Sequence, residues 1–166
     1  MTNKNLPIEK ILEILKETPL RLADLTRVLN TDQLHTAPSP GEWSVNEVLA
    51  HLRACDDVWG SYYILTILAQ DNPTIKARNP HTWIKNTDYL EQEFRPSLRA
   101  FTEQRESLLV VLELLPLKNW TRTNTLIGAG KPLQQTLISH ADGLARHERV
   151  HLKQIERTVN ALQDTS

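Results

Sequence analysis

One cysteine, one methionine and five glycines occur in 166 residues. With Cys55 alone no internal disulfide can form, which fits a reducing compartment and sets the expectation of a cytoplasmic protein. No apolar run approaches the ~18 residues of a membrane span, so no membrane partner is expected. The opening stretch "MTNKNLPIEKILEILKE" lacks an apolar h-region and a small-residue cleavage site, so secretion is not expected either. Charge of one sign is missing too: 19 basic against 20 acidic residues leave a formal net charge of −1. Without a basic stripe the chain is a poor candidate for nucleic-acid binding. Strand-type alternation is hard to find.

What is present is helical spacing of apolar residues, and it predicts an all-α chain. The length fits a single domain over 1–166. A first helix is expected from Pro7 to about Asn30, with a kink or restart at Thr18-Pro19. The stretch "HTAPSPGEW" reads as a loop. "SVNE" then reads as a capping box, with Ser44 and Glu47 opening a helix from Val45 to about Ala69. Residues 71–86 read as a long connection. A third helix is expected from about Thr87 to Leu115, kinked at Pro96 or starting just before it. "LPLKNWTRTNTLIGAGK" reads as a second long loop, and a fourth helix is expected from Pro132 to about Gln163. Four long helices with crossover loops predict a four-helix bundle.

The last helix carries the chemistry. Leu133, Leu137, His140, Leu144, His147, His151 and Ile155 follow one another at steps of three and four, the spacing of a core-facing seam. His147 and His151 are separated by about 40° of rotation and about 6 Å of rise, so both imidazoles can reach one ion. Two bare imidazoles in a core are costly unless their nitrogens are satisfied, and a divalent metal satisfies them. The alternative is two hydrogen-bonded core histidines. His140 lies two turns earlier, roughly 10 Å from His147, too far for the same ion.

"HERVH" also spells H-E-x-x-H, the zinc-protease signature. The downstream ligands of that chemistry are missing. Gln154 and Arg157 stand where one protease class needs Gly and His, and Glu156 and Asp164 are the only later acids, on or just past the same helix. A di-iron bundle needs two Glu-x-x-His pairs, and only Glu148 to His151 supplies one. Glu148 is therefore a weak candidate base, set against a solvated carboxylate flanked by Arg146 and Arg149. A third ligand must lie upstream, where His51 is the best candidate. Its neighbour Cys55 is either a thiolate ligand or a small buried hydrophobe. Asp56, Asp57 and Glu47 are candidates to support a ligand imidazole. His35 and His81 fall in loops, where they can line an entrance or be solvated.

"PGEWSVNEVLAHL", followed about a hundred residues later by "HERVHLKQI", resembles the DinB/YfiT-like superfamily. The shared elements are Trp43, Ser44, Glu47 and His51, then His147, His151, Gln154 and Ile155. Arg105 and Trp120 also stand at places usual for that family. Val150 and Lys153 depart from its commoner pattern, at non-ligand positions. The resemblance implies a four-helix bundle that binds one divalent ion, usually zinc or nickel, through His51, His147 and His151. It further implies a small-molecule substrate. Some members are transferases or isomerases using a low-molecular-weight thiol, so the leading expectation is a metal-dependent enzyme of that type, a thiol S-transferase in detoxification or stress response. A metal-dependent hydrolase using the same triad is the second reading. A non-catalytic, ligand-binding bundle is the third reading. Members often pair as homodimers.

Overall fold

The structure is a computed structural model and describes residues 4–165. Helix α1 spans Ile8–Thr26 and the short α2 spans Thr31–Leu34, opened by the reciprocal caps of Asn30 and Gln33. Helix α3 (Val45–Cys55) continues as a π-helical segment (Asp56–Ile64) and then as α4 (Leu65–Ala69). Strand β1 (Thr74–Lys76) follows, then α5 (Pro80–Trp83) and a 3₁₀ turn at Ile84–Asn86. Helix α6 spans Phe94–Glu113, and a 3₁₀ turn at Leu117–Thr121 buries Trp120. Strands β2 (Thr123–Ile127) and β3 (Leu133–Thr136) lead into the long α7 (Leu137–Asp164). No helix among the described residues is long and apolar enough to cross a membrane.

Four long helical rods are present as the spacing predicts, but the chain is not all-α. The two stretches read as loops supply strands β1 and β2, and the start of the expected fourth helix supplies β3, together a three-stranded sheet. Strand β2 pairs in parallel with β1, Thr74 opposite Thr125, and antiparallel with β3, Thr123 opposite Thr136. The "GAGK" stretch is the hairpin loop, with Gly128 and Gly130 at positive φ. Pro132 belongs to that hairpin and does not start α7. The helix begins at Leu137, behind a Thr136–Ser139 capping box. Helix α6 starts at Phe94, so Pro96 sits in its first turn, where its missing N–H costs nothing. Ser44 caps α3 by accepting from the Glu47 N–H at 3.2 Å, but the return bond of a full capping box is not formed. The Glu47 carboxylate accepts from the Ser44 hydroxyl instead.

Two apolar clusters fill the bundle. One gathers Ile11, Leu15, Ile64, Leu108 and Leu144, and the other Leu22, Leu52, Phe101, Leu152 and Ile155. Between them lies one polar layer, with a residue from each rod: Thr18, Asp56, Arg105 and Glu148, all buried. One terminal nitrogen of Arg105 (Nη2) donates to Asp56 Oδ1 at 2.7 Å and to Glu148 Oε1. The other (Nη1) donates to Glu148 Oε2 at 3.2 Å and to the Leu15 carbonyl at 2.8 Å. The last bond explains the proline inside α1. Pro19 has no N–H to give the carbonyl four residues back, and Arg105 fills that vacancy, so the helix runs through Pro19 without restarting. Burial works against the charge on Arg105, but Asp56 and Glu148 outweigh it and hold the guanidinium cationic.

The layer's residue from the second rod, Asp56, opens the π-helical segment, which apolar periodicity does not reveal. Within it a Cβ at Gly60 would stand 2.9 Å from Leu108 Cδ2 of α6, so that side chain would have to shift.

Replacing Arg105 with Met removes the one cation and strands two buried carboxylates. A loss of about 3–5 kcal/mol is expected in equilibrium urea denaturation. A loss below about 1 kcal/mol would mean that the layer is not what registers the four rods.

Candidate metal centre

Helices α3 and α7 lie side by side, and their histidines converge. His51, on α3, is buried, and His147 and His151, one turn apart on α7, are partly buried. His51 Nε2 lies 3.3 Å from His147 Nε2, and His151 Nε2 lies 3.0 Å from the same atom. One atom from each ring falls in a group spanning no more than 4.8 Å. Metal–nitrogen bonds of 2.0–2.1 Å place two ligand nitrogens about 2.9 Å apart at a right angle and about 3.3 Å apart on a tetrahedron. Both observed separations fall in that span. Hydrogen bonds cannot satisfy the cluster as well, because His147 Nε2 has one hydrogen or one lone pair to share between two neighbours.

The donor chemistry also fits. Burial is the largest influence on all three rings and favours the neutral form, and neighbouring histidines add to it. His51 is lowered to about 3, His147 to about 4, and His151 in the same direction. Gln154 Oε1 sits 2.7 Å from His151 Nδ1. It takes the hydrogen of Nδ1 and so leaves the Nε2 lone pair facing the other two rings. His147 Nδ1 is buried without a hydrogen-bond partner.

Aromatic residues surround the cluster. Trp43 lies parallel to the His151 ring, Trp59 meets His147 edge-on at 4.9 Å, and His81 stacks on His51 at 4.7 Å. The capping loop thus contributes Trp43, the π-helical segment Trp59 and the short α5 His81. A cleft of about 640 Å³ opens beside His151, lined by Trp43, Glu42, Gln154 and Arg157.

The other expected residues fall elsewhere. Glu148 is neither solvated nor paired with Arg146 and Arg149. It is buried, held by Arg105 and by the Thr18 hydroxyl at 2.7 Å, while Arg146 pairs with Asp142. Glu148 takes the core line of α7 together with Leu144, Leu152 and Ile155, and the two ligand histidines flank that line. Leu133, expected in the seam, is an exposed strand residue. Cys55 is buried, with its sulfur 3.5 Å from His51 Nε2. Burial, then Glu148 and Asp56, push its thiol up, away from the thiolate. Asp56 serves Arg105, and Asp57 binds Trp83, Tyr89 and Gln104, so neither supports a ligand imidazole. His140 faces Asn124, 2.9 Å from its Oδ1, and His35 pairs with Glu93 at the surface. Gln154 is the supporting residue that helical spacing did not single out.

The sequence profile of the DinB superfamily matches residues 14–155. The chain belongs to the DinB superfamily. Among solved structures it is similar to YfiT from Bacillus subtilis, described as a probable metal-dependent hydrolase with an unusual four-helix bundle topology. The likeness covers 95% of this chain and 91% of that one, at 21% identity and a TM-score of 0.72. It is also similar to a mycothiol-dependent maleylpyruvate isomerase, over 89% of this chain and 60% of that one, at 13% identity and a TM-score of 0.62. Comparison with the curated proteins found no match. At these identities the likenesses establish the fold.

His140 provides a check on burial at the edge of the cluster. Burial lowers it to about 4, below its ordinary 6.5. Between those values the unfolded chain binds the proton and the folded chain does not, so stability is lost as pH falls. Relative to a His140→Gln variant, the wild type should lose up to about 1.4 kcal/mol per pH unit from pH 6.5 down to 4. Urea denaturation of both proteins at pH 7.5 and 5.0 measures this. A difference that does not change with pH would mean that the ring is not buried neutral.

Proposed function

We propose that the chain is a metal-dependent enzyme in which His51, His147 and His151 hold one divalent ion, zinc or nickel, and that it acts on a small molecule. The observation that carries this is the convergence of three neutral imidazole Nε2 atoms at ligand spacing. Three histidines leave a coordination position open, the arrangement of a catalytic rather than a structural site. An ion held there would supply Lewis acidity and favour the deprotonated form of a thiol or water.

The protein's own residues set the rest. Gln154 fixes the tautomer of His151. Trp43, Trp59 and His81 cover the cluster and limit the access of water. Glu148 is occupied: both of its oxygens take bonds from Arg105, and one also accepts from Thr18. It is therefore not free to act as a general base. Among the described residues no carboxylate makes a hydrogen bond to the three imidazoles. That favours a nucleophile that needs no such base, and a low-molecular-weight thiol fits better than water. The reading is thiol-dependent transfer, in keeping with the thiol-dependent isomerase among the structural neighbours. Hydrolysis is the second reading, favoured by the broader likeness to YfiT.

Purified protein loaded with zinc or nickel and dialysed should retain one ion per chain by elemental analysis. His147→Ala should lose it, and Gln154→Ala should weaken it by about 10–100-fold. Full retention by His147→Ala would rule out the triad. Turnover that rises with added thiol supports transfer, and turnover indifferent to thiol supports hydrolysis.

A further inference from the structure

Trp59, which meets His147, also lines a second cleft, of about 430 Å³. Its walls are largely apolar, from Trp59, Tyr63, Leu126 and Leu144, and no acidic residue lines it. Ser139, His140 and Gln135 give it a polar side, and Gln135 Oε1 is buried there without a hydrogen-bond partner. At its edge stands Arg78, which also lines an adjoining cleft of about 490 Å³ together with Tyr62 and Trp83.

Arg78 differs from an ordinary surface arginine in how firmly it is held. Its guanidinium lies 3.6 Å from the centre of the Tyr62 ring and 5.0 Å from that of Trp83. Trp83 is itself anchored, its indole N–H donating to Asp57 Oδ2 at 3.0 Å. The backbone of Arg78 is held as well. Its N–H donates to the Tyr63 hydroxyl at 2.8 Å, and its carbonyl accepts from that hydroxyl at 3.3 Å. Among the described residues no hydrogen bond or ion pair engages the guanidinium. Stacking leaves the in-plane N–H groups of a guanidinium free, and these match a carboxylate in a two-pronged pair. The ordering cost of that pair is largely met before any ligand arrives.

The cleft is tied to the metal centre on two sides. Trp59 lines it and touches His147, and Pro80 lines it one residue before His81, which stacks on His51. Three residues of chain reach at most about 10 Å, so Arg78 is within a small molecule's length of His81.

We propose that this second cleft binds the carboxylate end of the enzyme's organic substrate, with Arg78 as the anchor and the aromatic and aliphatic walls taking the substrate's apolar body. The role as substrate site rests on the triad being the reacting centre. The binding itself does not.

The test uses 4-phenylbutyrate and its neutral amide, 4-phenylbutanamide, in calorimetric titrations of the full chain. A charge-assisted pair predicts that the wild type binds the carboxylate at least about tenfold more tightly than the amide. Arg78→Ala should abolish that preference, and Arg78→Lys, which keeps the charge without the fork, should keep part of it. Equal binding of the two probes by the wild type would overturn the proposal. So would a preference that survives Arg78→Ala, or one lost instead in Arg157→Ala, which would place the probe in the cleft beside His151. Metal content is measured on the same samples and on His147→Ala. One ion per chain retained by His147→Ala defeats the triad while the Arg78 result stands. A wild type that holds its ion but shows no carboxylate preference defeats this proposal and leaves the triad intact.

Discussion

Arg105 is the constraint on which the rest of the bundle depends. A single guanidinium in a dry layer binds one partner from each of the other three rods: the Leu15 carbonyl, Asp56 and Glu148. Such a layer adds little net stability, because taking these charges from water costs about what their attraction returns. What it does is forbid alternatives. A slip by one residue of any of the three rods that carry Asp56, Arg105 and Glu148 would leave a buried charge unpaired, which is far more expensive than misplacing a leucine. The apolar clusters above and below tolerate small shifts, and the layer does not.

That registry reaches the histidines through the covalent chain. Glu148 is the residue after His147, and Asp56 lies five residues beyond His51 on the same rod. Fixing Glu148 and Asp56 against one cation therefore fixes the height of α7 against α3. The three Nε2 atoms need agreement of a few tenths of an ångström to share an ion. The acid of the H-E-x-x-H signature thus has a different task here from the one it has in a protease. It works on the core line of α7 as a structural clamp, and its neighbours beside that line are the candidate ligands.

The parts of this arrangement visible in the sequence are those encoded locally. The long helices follow from spacing, the start of α3 from Ser44, and the pairing of His147 with His151 from a four-residue step. His51 needed a resemblance to settle it, since spacing alone left Cys55 open. The β1–β2 pair was not legible because its pairing is non-local and β1 is short. Thr74 meets Thr125 across fifty residues, and β1 is only three residues long. Pro132 and the glycines beside it signalled a break correctly, but a helix start and a hairpin end give the same local signal. Glu148 was misread for a plainer reason. Periodicity treats charge as a mark of the surface, and nothing local distinguishes a buried ion pair from a solvated one.

The division of labour between backbone types bears on how specificity is set. The three imidazoles project from long helices, whose position is locked by the core. The residues around them come mostly from elsewhere, Trp43 from the capping loop and His81 from a four-residue helix, while Arg78, the proposed substrate anchor, stands on the segment after β1. Even these are not loose, since Asp57 binds Trp83, Tyr89 and Gln104 and so ties the connection after β1 to the helical rod and to α6. A scaffold of this kind can keep one metal geometry while exchanging substrate walls, because substitutions in the connections leave the helix register untouched. On the proposed reading the fold constrains the chemistry at an ion held by the triad more tightly than it constrains the molecule acted on, and identifying that molecule would depend on the connections rather than on the histidines.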